Sequence, residues 1–329
     1  MPVETWSNQP GAAASAPAFA YEIYGLALHS ELALPELLPL RDASLPAIRI
    51  ELGGVPPVLN PAHAEKNWQI AEGRMLLTVR GTARYLIAAP DRILVQPLPG
   101  APIEDVRLFL LGSVLGGLLI RRGGFPLHAG AVRVGGVAVA FTGVSGAGKS
   151  TLVAHARQQG LTVLTDDICA LEARPDATWA YPGFPRVKLW RDSLGSVDHA
   201  PEELVRDAKR LDKFHIPLRD EFVRTPLPLA HVYCLSEADE IAIEPMSRLA
   251  GIASLARNLY RPRLVERLGL LGANFETCRR LAEHTRVWHF RRPKDFAMAD
   301  AAMDCLYRHW DNVLGACGEP AIVQYAAKC

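Results

Sequence analysis

The apolar positions change rhythm along the chain. Residues 1–20 carry no periodic pattern, and Ala, Pro and Gly crowd the stretch from Asn8 to Ala18, which predicts a loose tail. Short apolar runs at 21–28 and 48–52 predict strands. Between residues 68 and 97 four such runs are separated by Glu72-Gly73, by Gly81 and by Pro90-Asp91, which predicts an antiparallel meander. Residues 97–102 are proline-rich and read as a linker. The pattern divides the chain into a disordered tail (1–20), a small β-rich N-terminal domain (21–104) and a larger α/β domain (105–329).

A helix is expected over 105–121, starting near Asp105 and stopped by Gly123-Gly124. Its apolar stretch of roughly 15 residues falls short of the ~20 that span a bilayer, so it predicts a buried helix. Two β runs, 131–134 and 137–141, flank a Gly135-Gly136 hairpin turn. The second run leads straight into Gly143-Val144-Ser145-Gly146-Ala147-Gly148-Lys149-Ser150. A helix to Gln158 and a stop at Gly160 follow, then a strand over 161–165 that ends in Asp166-Asp167. Later strands are expected at 169–173, 186–189, 231–235, 241–245 and 287–290. Helices are expected at 248–260, 265–284 and 296–314, the last with Phe296, Ala299, Met303, Leu306 and Trp310 on one face. Arg206, Lys209 and Arg210 beside Glu202, Glu203 and Asp207 predict a charge-paired helix.

Apolar residues make up 49% of the 329, enough for a sizeable core, and the 22% charged residues nearly cancel to net +1. That balance gives no field for bulk nucleic-acid binding, so an anion site must be local and no nucleic-acid partner is expected. There is no basic start followed by an apolar run, so neither a secretory signal nor a membrane partner is expected. The six cysteines, Cys169, Cys234, Cys278, Cys305, Cys317 and Cys329, form no CxxC pair. They read as free thiols of a reducing compartment, and a cytoplasmic location follows.

The strongest chemical signal is the GxxxxGKS pattern from Gly143 to Ser150, set between a strand and a helix. Glycines let successive backbone N–H groups curl toward phosphate oxygens, and the helix N-terminus adds its positive dipole end. Lys149 is placed to reach the β- and γ-phosphates and Ser150 to offer its hydroxyl to magnesium, with Thr151 completing the cradle. The expected cofactors are therefore ATP and Mg2+. Asp166-Asp167 ends a strand, where a phosphate-loop protein keeps its magnesium carboxylate. Two adjacent carboxylates repel unless a cation or a shared proton relieves them; a solvated turn is the other reading. His128, in Leu127-His128-Ala129-Gly130, lies one hairpin before the loop, and a structural histidine is the plain alternative. No Asn-Lys-x-Asp tetrapeptide is present, which favours ATP over GTP.

At His128, the Gly143–Ser150 pattern and Asp166-Asp167 the chain resembles the HPr serine kinase/phosphorylase family, over about residues 105–235. The resemblance implies an α/β catalytic domain of the HPr kinase / phosphoenolpyruvate carboxykinase type. It implies that one of Asp166 and Asp167 is the base toward the acceptor hydroxyl while the other holds magnesium, with His128 tuning the pair. Asp166 is favoured as base and Asp167, with Ser150, as metal ligand. The family's glycine-rich signature is replaced here by Tyr181-Pro182-Gly183-Phe184-Pro185-Arg186-Val187-Lys188-Leu189-Trp190. In that respect the chain looks like HPr-kinase-related proteins of ribosomal peptide pathways, including the lasso-peptide kinases that phosphorylate a precursor's C-terminal serine.

The expected activity is ATP- and magnesium-dependent transfer to a serine of a peptide or small protein. The alternatives are the reverse phosphorylase reaction, a small-molecule kinase, or a non-catalytic nucleotide-gated peptide-binding module. A peptide with a terminal carboxylate needs cations, and the candidates are Arg186, Lys188, Lys213, Arg257, Arg261 and Arg263; a solvated surface charge is the alternative for each. Tyr181, Phe184 and Trp190 are candidates to line the acceptor groove, and the run Arg291, Arg292, Lys294 reads as surface. The acceptor's identity and the oligomeric state stay open, a homo-oligomer included.

Overall fold

The computed structural model describes residues 18–61, 67–190, 205–207, 210–218 and 222–315. The chain opens with an eight-stranded sheet: β1 (Phe19–Ile23), β2 (Leu26–Ser30), β3 (Leu38–Pro39), β4 (Ala47–Leu52), β5 (Trp68–Ala71), β6 (Arg74–Val79), β7 (Ala83–Ala89) and β8 (Arg92–Pro97). Its spatial order is β3-β1-β2-β4-β8-β7-β6-β5, so β5 is an edge strand. The expected meander is present as β5 to β8, antiparallel neighbours in sequence order. The single strand expected at 21–28 is instead the hairpin β1–β2, because Tyr24 and Gly25 both take positive φ (55° and 72°) and reverse the chain.

The apolar run at 106–120 forms α1 (Ile103–Phe109), a π-helical turn (Leu110–Val114) and α2 (Leu115–Arg121). Val106, Leu110, Leu111, Val114, Leu115 and Leu118 are buried there between the first sheet and the second. One apolar core therefore runs from Leu28, Ile48 and Met75 through this helix to Ala129, Ala140 and Ile168.

The second sheet has nine strands: β9 (Phe125–Leu127), β10 (Ala129–Val134), β11 (Val137–Thr142), β12 (Val163–Thr165), β13 (Cys169–Ala173), β14 (Thr178–Tyr181), then, after a small separate hairpin sheet, β18 (Leu227–Glu237), β19 (Ala242–Pro245) and β20 (Arg286–Arg292). The separate sheet is β15 (Arg186–Trp190), β16 (Val205–Asp207) and β17 (Arg210–Pro217). It replaces the charge-paired helix expected around Arg206 and Arg210, since the backbone of β17 pairs with β15 on one side and β16 on the other. Glu202, Glu203 and Lys209 lie outside the described residues. In the nine-stranded sheet β11 and β20 flank β18 in parallel, and the other pairings are antiparallel.

Helix α3 (Lys149–Gln158) covers one face of β10 and β11. The helix α7 (Ala299–Leu314) packs beside it, with Met303, Leu306 and Trp310 buried against Phe141, Val153 and Tyr233. The Trp310 indole donates to the Tyr233 hydroxyl at 3.0 Å, a buried anchor behind the loop that precedes α3. On the other face lie α4 (Arg248–Arg257), α5 (Pro262–Arg267) and α6 (Leu271–His284). The single helix expected at 265–284 is broken at Gly269, where φ is 69°. No helix of the described residues is long and apolar enough to cross a membrane.

Candidate functional site

Two stretches of chain change partner at the same place. The segment β9–His128–β10 pairs first with β13 and then with β12, with Leu127 opposite Cys169 and Ala131 opposite Thr165. The segment β12–Asp166–Asp167–Ile168–β13 runs the other way beside it. His128 and the acidic doublet are therefore the residues at which both stretches cross from one part of the sheet to the other, freed from regular pairing there.

The loop after β11 reaches the same edge. β10 is antiparallel to both β11 and β12, so those two strands point the same way and their C-terminal ends emerge together. Only β10 separates them, which sets the loop and Asp166 two strand spacings apart, about 10 Å. Ala129, which follows His128, is opposite Thr142, which precedes Gly143.

The loop itself is built for close approach. Gly143, Gly146 and Gly148 have φ of 146°, 84° and 87°, a region side chains disfavour. Gly148 is the N-cap of α3, and no side chain caps that helix. A Cβ at Gly148 would overlap the Arg292 guanidinium. Lys149 is buried and its Nζ donates to the carbonyls of Gly143 (2.8 Å) and Val144 (3.1 Å). Val144 at the tip is 76% exposed, and Ser145 and Gly146 are exposed beside it. Ser150 and Thr151 follow in the first turn of α3, each half-buried.

Arg292, at the end of β20, was expected on the surface. It lies instead against the loop: Nη2 donates to the carbonyls of Ala147 (3.2 Å) and Gly148 (3.5 Å), and burial pulls its pKa down. The basic run hid it because β18 and β20 bring this residue back to the loop from far along the chain.

The two aspartates face different neighbours. A Cβ at Gly130 would stand 3.5 Å from Asp166 Oδ1 and 2.6 Å from Val153 Cγ2 of α3, so buried Asp166 lies on the α3 face of the sheet. Asp167 is half-buried, and its Oδ1 is 3.4 Å from His128 Nδ1. The His128 ring lies 5.9 Å from that of Tyr260.

Two residues behind the doublet complete its surroundings. Arg186 is only 6% exposed, so it is no solvated charge. Burial pulls its pKa down, opposed by Glu36, Asp167, Tyr24 and Asp166; its guanidinium sits 4.2 Å over the Phe184 ring. Tyr24 comes from the β1–β2 turn. It is 5% exposed, and its hydroxyl has no hydrogen-bond partner among the described residues. Burial first, then the Asp167 charge, push its phenol well above the usual value, while Arg186 pulls it back. Burial and Asp167 likewise push Tyr260 up to about 12. Tyr24 escaped sequence reasoning because nothing local marks a turn tyrosine as part of a distant site.

Of the other candidate cations, Arg261 and Arg263 line a groove beside His128, while Arg257 is exposed at the end of α4 outside it. The backbones of Lys188 and Lys213 lie in β15 and β17, opposite His215 and Trp190; their side chains are outside the described set. Phe184 is core, and Tyr181 hydrogen-bonds Glu172 and Arg174, so neither lines that groove. The side chain of Trp190 is likewise not described. Cys169, Cys234, Cys278 and Cys305 are free thiols, the first three buried; Cys317 and Cys329 lie outside the described residues. Among the described residues no three His, Cys, Asp or Glu side chains gather as a metal cage.

A scan against models of protein families matches none, and no curated protein matches. Among solved structures the chain is similar to the HPr(Ser) kinase/phosphatase from Coxiella burnetii, at 11% identity and a TM-score of 0.32, over 58% of this chain and 99% of that one.

Proposed function

We propose that the protein is a kinase that transfers the γ-phosphoryl group of ATP to a serine hydroxyl of a peptide or small protein. The observation that carries this reading is the meeting, at one sheet edge, of an uncapped glycine loop, a buried lysine and two carboxylates. Backbone donors and Lys149 suit a polyphosphate, and a carboxylate suits the proton a hydroxyl must lose.

The loop from Gly143 to Ser150, with Thr151, would hold the phosphates. Lys149 would exchange its two carbonyl partners for phosphate oxygens, and Arg292 would keep the Ala147 and Gly148 carbonyls turned away from them. The donor set also fits magnesium, which takes one or two carboxylates and fills its other positions with water and phosphate oxygens. Bound there, the ion would neutralise charge on the transferring phosphoryl group.

The faces of the sheet suggest a division of labour within the doublet. The resemblance gives one aspartate of the pair the role of base, with Asp166 the favoured one in the sequence. Asp166, however, is on the α3 face with the phosphate loop, while Asp167 is on the side of His128 and the groove. We therefore assign Asp166, with Ser150, to the magnesium side and Asp167 to the acceptor side. In the reaction the serine oxygen bonds to the γ-phosphorus as the bond to the β,γ-bridging oxygen breaks. Asp167 takes the serine proton and ADP leaves. His128, through its contact with Asp167, is a positioning residue.

In this reading residues 105–329 form the catalytic unit, and 21–104 a β-rich companion that supplies Tyr24. A lasso-peptide precursor ending in serine is an acceptor of the proposed class, and the cytoplasm, where ATP is plentiful, is the proposed location. The test is incubation with ATP, magnesium and a panel of serine peptides, followed by mass spectrometry. Phosphate on a serine supports the reading. ATP bound without transfer to any hydroxyl rejects it.

A further inference from the structure

A groove of about 830 Å³ opens beside His128 and is lined by Arg261, Arg263, Arg267, Trp68 and Tyr260, with no carboxylate lining it among the described residues. Several arginines elsewhere are neutralised, Arg74, Arg92, Arg107, Arg174 and Arg279 each holding a glutamate, while Arg121, Arg122, Arg133 and Arg280 are scattered singly and donate to main-chain carbonyls. The three groove arginines have no carboxylate partner among the described residues. Arg263 and Arg267 even stand at i and i+4 on α5, where like charges repel. Such a wall is unfavourable alone and is relieved by an anion.

The wall is also pre-ordered. Arg261 has a left-handed backbone (φ 60°, ψ 54°), which for a non-glycine residue is strain of the kind found at ligand clamps. Its guanidinium lies 5.3 Å over the Tyr260 ring, and Nη2 donates to Ser113 Oγ at 2.6 Å. The π-helical turn brings Ser113 to that position, and the absence of a side chain at Gly116 leaves the space that the Tyr260 ring fills. Arg267 Nη1 donates to the Trp68 carbonyl of edge strand β5 at 3.1 Å. Two of the three guanidiniums are thus held before a ligand arrives, which suits paired hydrogen bonds to carboxylates.

We propose that this groove binds the acceptor and selects an acidic peptide, with glutamate or aspartate side chains beside the serine. Their carboxylates lie along Arg261, Arg263 and Arg267 while the serine reaches His128 and Asp167. The volume falls in the range of small-ligand pockets and so suits a short segment. The inference rests on the kinase reading, but its test does not need turnover.

The test uses the full chain and three fluorescein-labelled peptides, read by anisotropy without nucleotide. They are Gly-Ser-Glu-Glu amide, Gly-Ser-Gln-Gln amide and Gly-Ser-Gln-Gln with a free C-terminus. The acidic peptide is expected to bind about tenfold or more tighter than either of the others, with the preference shrinking as salt rises. Arg263→Gln and Arg267→Gln are each expected to weaken it, and together to remove the preference. Arg263 is exposed and its side chain has no hydrogen-bond partner among the described residues, so Arg263→Gln stays informative if the Arg267 variant melts early. Equal binding of all three peptides overturns the proposal, as does a preference that survives both substitutions. A free C-terminus that fully replaces the acidic side chains overturns the acidic-side-chain class. Calorimetry with ATP on the same protein separates this from the kinase reading: an acidic preference without ATP binding sinks the kinase alone, and the converse sinks the groove alone.

Discussion

His128 Nδ1 stands 3.1 Å from the carbonyl oxygen of Asp167 and 3.4 Å from that residue's Oδ1. A carbonyl oxygen only accepts, so Nδ1 carries the proton in this contact. The ring therefore donates to the main chain of Asp167, and so anchors the backbone that carries its carboxylate. His128→Ala is expected to lower kcat by about fivefold, the size of a lost hydrogen bond to a neutral carbonyl. ATP affinity should hardly change. His128→Asn, whose amide nitrogen can donate from near the Nδ1 position, should recover part of the loss. Equal kcat for both variants and the parent would remove His128 from the account.

Lys149 bonds the start of the loop at Gly143 and Val144 and Arg292 its end at Ala147 and Gly148, and their losses should differ. Lys149→Ala should abolish measurable transfer. Arg292→Gln should weaken binding of magnesium–ATP by about tenfold, since it removes charge-assisted bonds to the Ala147 and Gly148 carbonyls. Calorimetric titration of each variant measures this. An Arg292→Gln protein with parental affinity would return Arg292 to a purely structural role.

Tyr24 holds a buried hydroxyl that bonds to nothing among the described residues, at a backbone φ of 55°. Leaving such a group buried costs about 1–3 kcal/mol, so Tyr24→Phe should raise the unfolding temperature. If the hydroxyl serves the reacting groups near Asp167, the same change should lower kcat. Stability up with kcat down marks a functional tyrosine; stability up with kcat unchanged marks a packing residue. Thermal unfolding and steady-state rates on one preparation decide.

The glycine loop and the acidic doublet stand out in the sequence because the residues of each are contiguous. Eight residues from Gly143 and two from Asp166 carry the pattern whatever the rest of the chain does. Arg292, Tyr24, Trp68 and Arg267 were not legible, since each reaches its place through long-range pairing or packing. Arg186 was named as a cation for a peptide carboxylate, with a solvated surface charge as the alternative; it is in fact buried near both aspartates, a setting that strand spacing alone does not reveal. In the fold, the β5–β8 meander followed from turn residues alone. The strand expected at 21–28 is split where Tyr24 and Gly25 take positive φ, a turn the sequence hides because tyrosine seldom adopts that conformation. The helix expected near Arg206 gave way to β-pairing that no local charge spacing could reveal.

His231 offers a test of the packing behind the loop. It is 5% exposed, and its Nδ1 accepts from Trp288 Nε1 at 3.1 Å. Burial first, then His309 and Arg286, lower its pKa from 6.5 to about 4. The unfolded chain therefore binds this proton first as pH falls. The stability tied to neutral His231 is present above pH 6.5, declines below it and is exhausted near pH 4, a loss of roughly 3 kcal/mol. His231→Gln, which keeps an acceptor for Trp288, should flatten that decline in denaturant titrations at pH 7, 5.5 and 4. An unchanged slope would assign the acid sensitivity elsewhere.

The central claim is that the loop and the acidic doublet work on one triphosphate. Its most direct test is phosphate transfer to a serine peptide and ATP affinity, measured together for the parent, Asp167→Asn and Asp166→Asn. The account predicts that Asp167→Asn keeps ATP affinity and loses about 10²-fold or more in kcat, the scale of general base catalysis. Asp166→Asn should also raise the magnesium needed for half-maximal rate. Near-parental kcat in both variants would contradict it.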